Sequence, residues 1–343
     1  MSILQKTTYL TIITLILLTV PEKIKGQDPV FSQYYASPLQ INPAFTGLTN
    51  GPRFGVNYRN QWPLIDQVFK TYVTYNLFYD QFIPAIKSGF GLELTADDAG
   101  AGFLKTYKIN GLYGYKIPVN RRGHVIKGGL ELGYAQVNYA WDKFVFGDQI
   151  DPVTGYISGG GTIVSKEKVP LQTSSGYLDA GAGVLYYCPL YYIGASVKHF
   201  NAPGVGILAA QADGGSSLPP RFTFHGGFEL HTSGNKYDKS NILSPSFIYI
   251  RQSSFSQFNI GAQYLFSSIF GGIHYRHANK NPDAVIFNVG IRKGFWRIGY
   301  SFDLTISDLS LAQGGTHELS LIYAMPGNPK KTSVVSDCFE AFR

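Results

Sequence analysis

Residues 42–63 read NPAFTGLTNGPRFGVNYRNQWP and contain the change from an aperiodic lead-in to the first strand of the chain. The Asn-Pro and Thr-Gly pairs at the start of this stretch are turn formers, and Pro43 has no N–H for a strand ladder. From Phe54 onward, apolar and polar residues alternate with the period of two of a half-buried strand. The sequence therefore predicts a loop or plug before Arg53 and a β-strand after it.

Trp62 lies at the end of this first strand. A large amphipathic ring at a strand end is typical of the aromatic girdle of a membrane barrel, although a soluble sandwich could bury it in a core. In a barrel the first strand must pair with the last, residues 318–325, because an open edge cannot lie in lipid. This pairing places Trp62 on the outer rim and Arg59 in the lumen at the seam.

The composition of the 343-residue chain fits a membrane barrel. Charged residues make up only 15%, against about 25% in average soluble proteins, and aromatic residues make up another 15%. No internal stretch approaches the roughly 20 consecutive apolar residues of a spanning helix. Apolar residues recur instead at alternate positions, as in strands with one side in lipid and a polar interior. The formal charge of +7 comes without a cluster of basic and aromatic residues, so no nucleic-acid partner is expected.

The first 26 residues have the pattern of a secretory signal peptide. Lys6 supplies a basic start, residues 9–20 supply an apolar core too short to span a membrane, and cleavage is expected before Gln27. Export would permit a disulfide between Cys188 and Cys338, although separate roles for the two cysteines are equally open. Neither cysteine has His or Cys neighbours at metal-ligand spacing, so no metal site is expected.

Alternating segments along the whole chain predict an all-β fold, a transmembrane antiparallel β-barrel of about 14 strands. An even number of strands leaves both termini in the periplasm. The two long loops, residues 141–172 and 200–220, follow the fifth and seventh strands and are therefore expected to face outward. The predicted organisation is a signal peptide at 1–26, a lead-in or plug at 27–52, the outer-membrane barrel at 53–326 and a periplasmic tail at 327–343.

No catalytic motif is present in the sequence. The Gly-x-Ser-x-Gly nucleophile elbow and the His-Glu-x-x-His zinc motif are both absent, and the seven His residues are scattered. The glycine-rich turn that follows Asp97 and Asp98 lacks the ligand spacing and distal Glu of an EF-hand loop, so a tight hairpin is expected rather than a calcium site. The sequence therefore predicts neither an enzyme nor a cofactor.

Charged residues on the inward face of the predicted strands form a further pattern. Opposite charges inside a barrel would pair, fill the lumen and make it rigid, with a modest gain in stability. A conducting pore lined by the same charges is the functional alternative. The residues predicted for this lumen network are Arg59, Glu93, Glu131, Glu229, Arg276, Arg292, Arg297 and Asp303.

Four short motifs occur in order along the chain, namely NPAFTG at 42–47, YRNQW at 58–62, DDAG at 97–100 and GLYGYKIP at 111–118. In this order they resemble the PorP/SprF family, outer-membrane proteins of the type IX secretion and gliding machinery of Bacteroidota. Residues 300–309 and 317–321 also resemble the last hairpin of that family. The similarity extends over residues 28–325.

The resemblance implies a non-enzymatic protein of the cell outer membrane. It implies that the C-terminal domain of a secreted adhesin docks on the extracellular loops, which supports delivery of the adhesin to the surface or its anchoring there. The periplasmic side would contact the secretion machinery or a peptidoglycan-binding adaptor, and the barrel wall would contact membrane lipid. A passive, porin-like solute channel is the alternative. Candidate residues for partner contact are Trp62, Asp97, Asp98, Trp141, Ser307, Asp308 and Leu309.

Overall fold

The computed structural model describes residues 28–49, 51–64, 71–151, 165–167, 173–205, 217–232, 240–279, 281–307 and 313–325. The predicted signal peptide at 1–26 and the predicted tail at 327–343 lie outside these ranges, as do Cys338, Asp308 and Leu309. Within the described ranges, no helix is long and apolar enough to cross a membrane.

Strand segments, all paired in antiparallel fashion, form one sheet in the described part of the chain. Each segment pairs with its neighbours in sequence, except that β8 and β9 both pair with β10 and not with each other. The segments are β1 (Arg53–Gln61), β2 (Tyr72–Ile83), β3 (Ser88–Ala99), β4 (Leu104–Pro118), β5 (Val125–Tyr139), β6 (Ser174–Tyr187), β7 (Tyr191–Lys198), β8 (Arg221–Phe228), β9 (Leu230–His231), β10 (Asn241–Gln252), β11 (Phe255–Phe266), β12 (Ile269–Ala278), β13 (Asn281–Lys293), β14 (Trp296–Thr305) and β15 (Thr316–Ala324).

β8 and β9 are two parts of one barrel strand, because both pair with β10. The ladder is interrupted between the Ser246–Gly227 and Leu243–Leu230 pairs. Pro245 lies in this gap and has no N–H to donate, which is a physical reason for the break. The 15 segments therefore make 14 barrel strands, and the predicted strand number is confirmed.

The sheet closes through the pairing of β1 with β15. The register runs from Arg53 opposite Ala324 to Gln61 opposite Thr316, without a break. Closure pairs the edges of the sheet, which lipid requires because it offers no hydrogen-bond partner to a free edge. The predicted pairing of the first and last strands is confirmed.

The wall of the barrel is apolar outside and polar inside. On β5, Leu130 and Leu132 are 58% and 66% exposed, whereas Glu131 between them is 5% exposed. The same alternation recurs on the other strands, because successive side chains of a strand point to opposite faces. A lipid-facing apolar band around a polar interior is the pattern of a transmembrane barrel.

Residues 28–49, here called the plug, lie inside the barrel, and nearly all of them are buried. The plug contains the short helix α1 (Pro38–Ile41) and a 3-10 turn (Pro43–Phe45). Each begins with a proline, whose missing N–H costs nothing in a first turn. Asn42 connects them, and its side-chain oxygen caps the turn by accepting from the Ala44 N–H at 2.8 Å.

The plug runs along the lumen from one end of the barrel to the other. We call the end where β1 begins and β15 ends the inner end, and the opposite end, which carries the long connections after β5 and β7, the outer end. Asp28 contacts His199, which directly follows β7, and so lies near the outer end. The Thr46 carbonyl accepts from Lys127, near the start of β5 and therefore near the inner end.

Glycines on the inner wall allow the turns of the plug to approach the strands closely. A Cβ atom at Gly129 of β5 would lie 2.1 Å from the Ala44 nitrogen, and one at Gly89 of β3 would lie 2.4 Å from the Thr46 oxygen. Both distances are far shorter than a van der Waals contact between such atoms. The Asn-Pro-Ala turn and these glycines therefore fit together, although they are distant in sequence.

We expect Gly129→Ala to lower the heat stability of the barrel, because the new methyl group must displace the backbone of the plug. Overpacking of this kind costs about 1–3 kcal/mol. The measurement is the temperature at which the folded, fast-migrating band converts to the unfolded band on gels. Gly128→Ala is the matched control, since its Cβ would meet nothing within 4 Å. Equal conversion temperatures for the two variants would refute the close fit.

Candidate functional site

Glu318 on β15 anchors the first part of the plug. Its carboxylate accepts hydrogen bonds from the backbone N–H groups of Ser32, at 2.7 Å, and Gln33, at 2.8 Å. Arg59 of β1 pairs with the same carboxylate, with 2.6 Å between Nη1 and Oε1. These groups are all buried, where hydrogen bonds are electrostatically stronger than in water. The plug thereby bridges the two strands that close the barrel.

The Ser32 hydroxyl joins this anchor to a second ion pair. It donates to Asp303 Oδ2 at 2.6 Å and accepts from Arg276 Nη1 at 2.8 Å. Arg276 and Asp303 pair directly at 2.7 Å, and the Arg276 Nε also pairs with Asp283. Because Arg59 Nη1 donates to the same hydroxyl at 3.2 Å, two arginines and one carboxylate converge on a single plug side chain.

Arg297 of β14 holds the next part of the plug through its ring contacts. Its guanidinium lies 5.1 Å from the ring centroid of Tyr35 in the plug and 4.3 Å from that of Phe270 in the wall. It also donates to Gln263 Oε1 at 2.9 Å. Cation–π contacts of this kind strengthen when they are desolvated, as they are here.

At the inner end, the backbone of the plug is held by charged side chains of the wall. Arg53 and Asp80 form a fully buried pair at 2.8 Å, and Asp80 also accepts from the Gly47 N–H at 2.7 Å. Lys127 donates to the Thr46 carbonyl at 2.7 Å. The plug is therefore fixed at both of its ends by charge-assisted hydrogen bonds, which are stronger than neutral ones.

At the outer end, Asp28 is the centre of a cluster of three basic residues. It pairs with Lys108 at 2.6 Å, with Arg221 at 3.4 Å and with the Nε2 of His199. Burial alone would raise the pKa of Asp28, but the attraction of these neighbours holds that pKa well below its usual range. Burial lowers the pKa of His199, and the carboxylates of Asp28 and Asp179 outweigh this effect, so its pKa is raised.

A second outer cluster is centred on Lys198 of β7. Its ammonium lies 2.7 Å from Glu131 and 3.9 Å from Glu93, and the Glu93 carboxylate also accepts from the Asn76 and Asn110 side chains. The Asp28 and Lys198 clusters line one cavity of about 250 Å³ between the plug and the barrel wall. We call this cavity the outer chamber.

The structure brings most of the predicted lumen residues into buried contacts, in separate groups. Arg59, Arg276 and Asp303 meet at Ser32, whereas Glu93 and Glu131 meet at Lys198, which the sequence did not single out. Of the other three predicted residues, Arg297 is buried against rings, Glu229 is buried at the break between β8 and β9, and Arg292 is half-buried towards the inner end of β13. The contribution of these residues to the rigidity of the barrel stays a prediction.

Asp97 and Asp98 at the outer end of β3 face opposite sides. Asp97 lines the outer chamber and accepts from the Thr74 hydroxyl at 2.6 Å, whereas the half-buried Asp98 lies 3.9 Å from the exposed ammonium of Lys105. Two neighbouring residues of a strand cannot present their side chains to the same ligand. Among the described residues, no group of three or more His, Cys, Asp or Glu side chains is placed to hold a metal ion.

The other candidate contact residues that the structure describes lie at separate points of the outer end. Trp62 packs edge-on against Tyr72, with 5.7 Å between ring centroids, and Ser307 follows β14 as a half-buried residue. Trp141 lies in the connection after β5 and packs against Phe144 and Phe146, with centroid distances of 5.8 and 5.1 Å. The function of these residues in partner binding stays a prediction.

A closed antiparallel barrel with an apolar outer wall and a charged interior defines an integral protein of the outer membrane. The chain belongs to the family described as type IX secretion system membrane protein PorP/SprF, whose sequence model matches residues 23–323. The resemblance carried by the four motifs is thereby confirmed. No individually curated protein matches the sequence.

Solved structures similar to the chain are other barrels of low sequence identity. The CymD monoaromatic hydrocarbon channel is 14% identical, with a TM-score of 0.45, over 88% of this chain and 95% of that chain. A deltaS2 mutant of the TodX monoaromatic hydrocarbon channel is 12% identical, with a TM-score of 0.46, over 84% and 92%. A Pseudomonas aeruginosa FadL homologue is 10% identical, with a TM-score of 0.43, over 82% and 92%. Similarity this distant transfers no ligand or activity to this chain.

We expect Arg59→Ala to destabilise the barrel strongly, because it leaves the Glu318 carboxylate buried without its cation. Breaking a buried pair in this way costs about 3–5 kcal/mol. Urea unfolding in lipid vesicles and the gel conversion temperature both measure the loss. Arg251→Ala is the control, since Arg251 is exposed at the same end of the barrel.

The double variant Arg59→Ala/Glu318→Gln tests whether the unpaired Glu318 carboxylate causes the loss of stability in Arg59→Ala. Replacing the unpaired Glu318 carboxylate by a neutral amide is expected to recover part of the stability that Arg59→Ala loses. Unchanged heat stability of Arg59→Ala would contradict a structural function of this pair.

Proposed function

We propose that this protein is a non-enzymatic docking component of the outer membrane, which binds the C-terminal domain of a secreted adhesin and supports its delivery to the cell surface or its anchoring there. The observation that carries this proposal is the plug, held along the lumen by buried ion pairs. A filled lumen leaves the outer loops as the surface that can engage a partner. Membership of a type IX secretion family supplies the class of partner.

An aromatic cluster in the connection after β5 supports docking at the outer end. Trp141, Phe144 and Phe146 pack together, and Phe144 also packs against Phe103 of the β3–β4 hairpin at 5.6 Å. Phe103 and Val145 remain 36% and 48% exposed. Exposed aromatic residues that are held in place by each other suit a protein interface, since large rings supply contact area at low entropic cost.

The inner end is suited to a different contact. Most of its turns are short, and three of them carry the exposed apolar residues Ile86, Val119 and Leu190. We assign this end to the secretion machinery or to a peptidoglycan-binding adaptor, both of which would approach from the periplasm. Membrane lipid covers the apolar wall between the two ends.

A passive solute channel is the alternative function. It requires a continuous wet path through the lumen, and the plug occupies that path at the points where Gly89 and Gly129 touch its backbone. The anchors of the plug therefore favour docking over conduction.

The double variant Trp141→Ala/Phe146→Ala tests the docking surface. We expect recovery of the secreted adhesin with the tagged barrel to fall at least about tenfold, because removal of aromatic hot spots typically costs 2 kcal/mol or more. Phe295→Ala removes one aromatic ring from an exposed turn at the inner end and should leave recovery of the adhesin unchanged.

Deletion of residues 141–172 removes far more of the outer connection than the double variant does, and it is tested in the same adhesin-recovery assay. Equal recovery of the adhesin by the wild-type protein, the double variant and the loop deletion would remove this loop from the interface. Folding of each variant is checked by its gel conversion temperature.

A further inference from the structure

The outer chamber contains more acidic than basic side chains. Two lysines and one arginine line it, and His199 is a fourth basic residue. The carboxylates number five. The acidic residues are Asp28, Glu93, Asp97, Glu131 and Asp179, and the lysine and arginine residues are Lys108, Lys198 and Arg221.

Asp97 is the carboxylate of the chamber that has no described cation within ion-pair distance, although the charges of Lys108 and Arg59 act on it from farther away. Lys198 is shared by two glutamates, and the other basic residues converge on Asp28. Among the described residues, Asp97 accepts a hydrogen bond from the Thr74 hydroxyl and forms no ion pair. Its side chain is half-buried and lines the cavity, so a group that enters the chamber can reach it.

The upper wall of the chamber is apolar. Val137 belongs to a small cluster with Tyr177, and Leu104, Val205 and Leu218 pack against that cluster. All five residues also line the cavity. These apolar residues lie above the Asp97 carboxylate. This arrangement suits a long basic side chain, because its methylene groups prefer apolar surroundings and its end carries the charge. A bare metal ion fits less well, since the described residues offer no cluster of three metal-ligating side chains.

We propose that the outer chamber binds a guanidinium or ammonium group, with Asp97 as its counter-ion, and that the group belongs to a basic side chain of the docked partner. The source of the group rests on the docking proposal above, whereas the site itself does not. Arginine is favoured, because a guanidinium can donate to the carboxylate through two N–H groups at once. The chamber lies between the plug and the outer ends of the strands, where a side chain inserted from the cell exterior would arrive.

Calorimetric titration of the purified barrel with two small probes tests the site without any adhesin. N-acetyl-arginine amide carries one guanidinium, and N-acetyl-citrulline amide is its neutral counterpart of nearly the same shape. We expect the arginine probe to bind at least about tenfold more tightly than the citrulline probe, a difference of about 1.4 kcal/mol. Equal affinity of the two probes, or no binding of either, would overturn the proposal.

Substitutions of single carboxylates test whether the arginine probe binds at Asp97. Asp97→Asn is expected to weaken the arginine probe about tenfold and to leave the citrulline probe unchanged, whereas Asp142→Asn, an exposed carboxylate of the outer connection, should change neither. If Asp97→Asn bound the arginine probe as tightly as the wild-type protein does, Asp97 would not be the counter-ion and the guanidinium would bind elsewhere in the barrel. If Asp97→Asn does not fold, the comparison of the two probes on the wild-type protein still decides whether the barrel selects a cation.

The two proposals fail separately. Loss of adhesin recovery in the aromatic variants leaves the probe titration unaffected, because no partner is present in it. Conversely, if the barrel bound neither probe but the adhesin were still recovered with it, the docking proposal would stand and the cation-site proposal would be wrong.

Discussion

The ion pair between Arg59 and Glu318 connects three parts of the molecule that are far apart in sequence. Arg59 belongs to the first strand, Glu318 to the last, and the carboxylate also receives two backbone N–H groups of the plug. A buried carboxylate without a partner costs several kcal/mol, so each of these groups depends on the others being in place. Closure of the barrel and seating of the plug are therefore linked through one buried charge.

The other contacts of the plug repeat this arrangement along the lumen. Charged side chains of the wall meet the plug at both ends, and glycines of the wall leave room for its backbone in between. A barrel with a polar interior would otherwise hold water. Here many polar groups of the wall bind the plug or one another, and the outer chamber lies at one end of the plug.

The sequence predicts the wall of the barrel well, because alternation is a local signal that each strand carries by itself. Trp62 at a strand end, Arg59 in the lumen and the pairing of the first strand with residues 318–325 follow from it, whereas the register that sets Arg59 opposite Glu318 comes from the structure. The break at Glu229 was not predicted, since it depends on Pro245 in the neighbouring strand.

The site was predicted only in part. Alternation marks Arg59, Glu93 and Asp303 as inward, but it cannot show which charges meet across a lumen. Asp28 and His199 lie outside the periodic segments, so no local pattern indicated that they pair. Asp97 and Asp98 were grouped as neighbours, whereas the pleat of the strand directs them to opposite sides.

Single-channel conductance of the purified protein in planar lipid bilayers tests the filled lumen most directly. If the plug fills the lumen, the wild-type barrel conducts close to the baseline of the bilayer, and deletion of residues 28–49 opens a pore of far larger conductance. A large, steady conductance of the wild-type protein, equal to that of the deletion variant, would contradict the filled lumen and favour a solute channel.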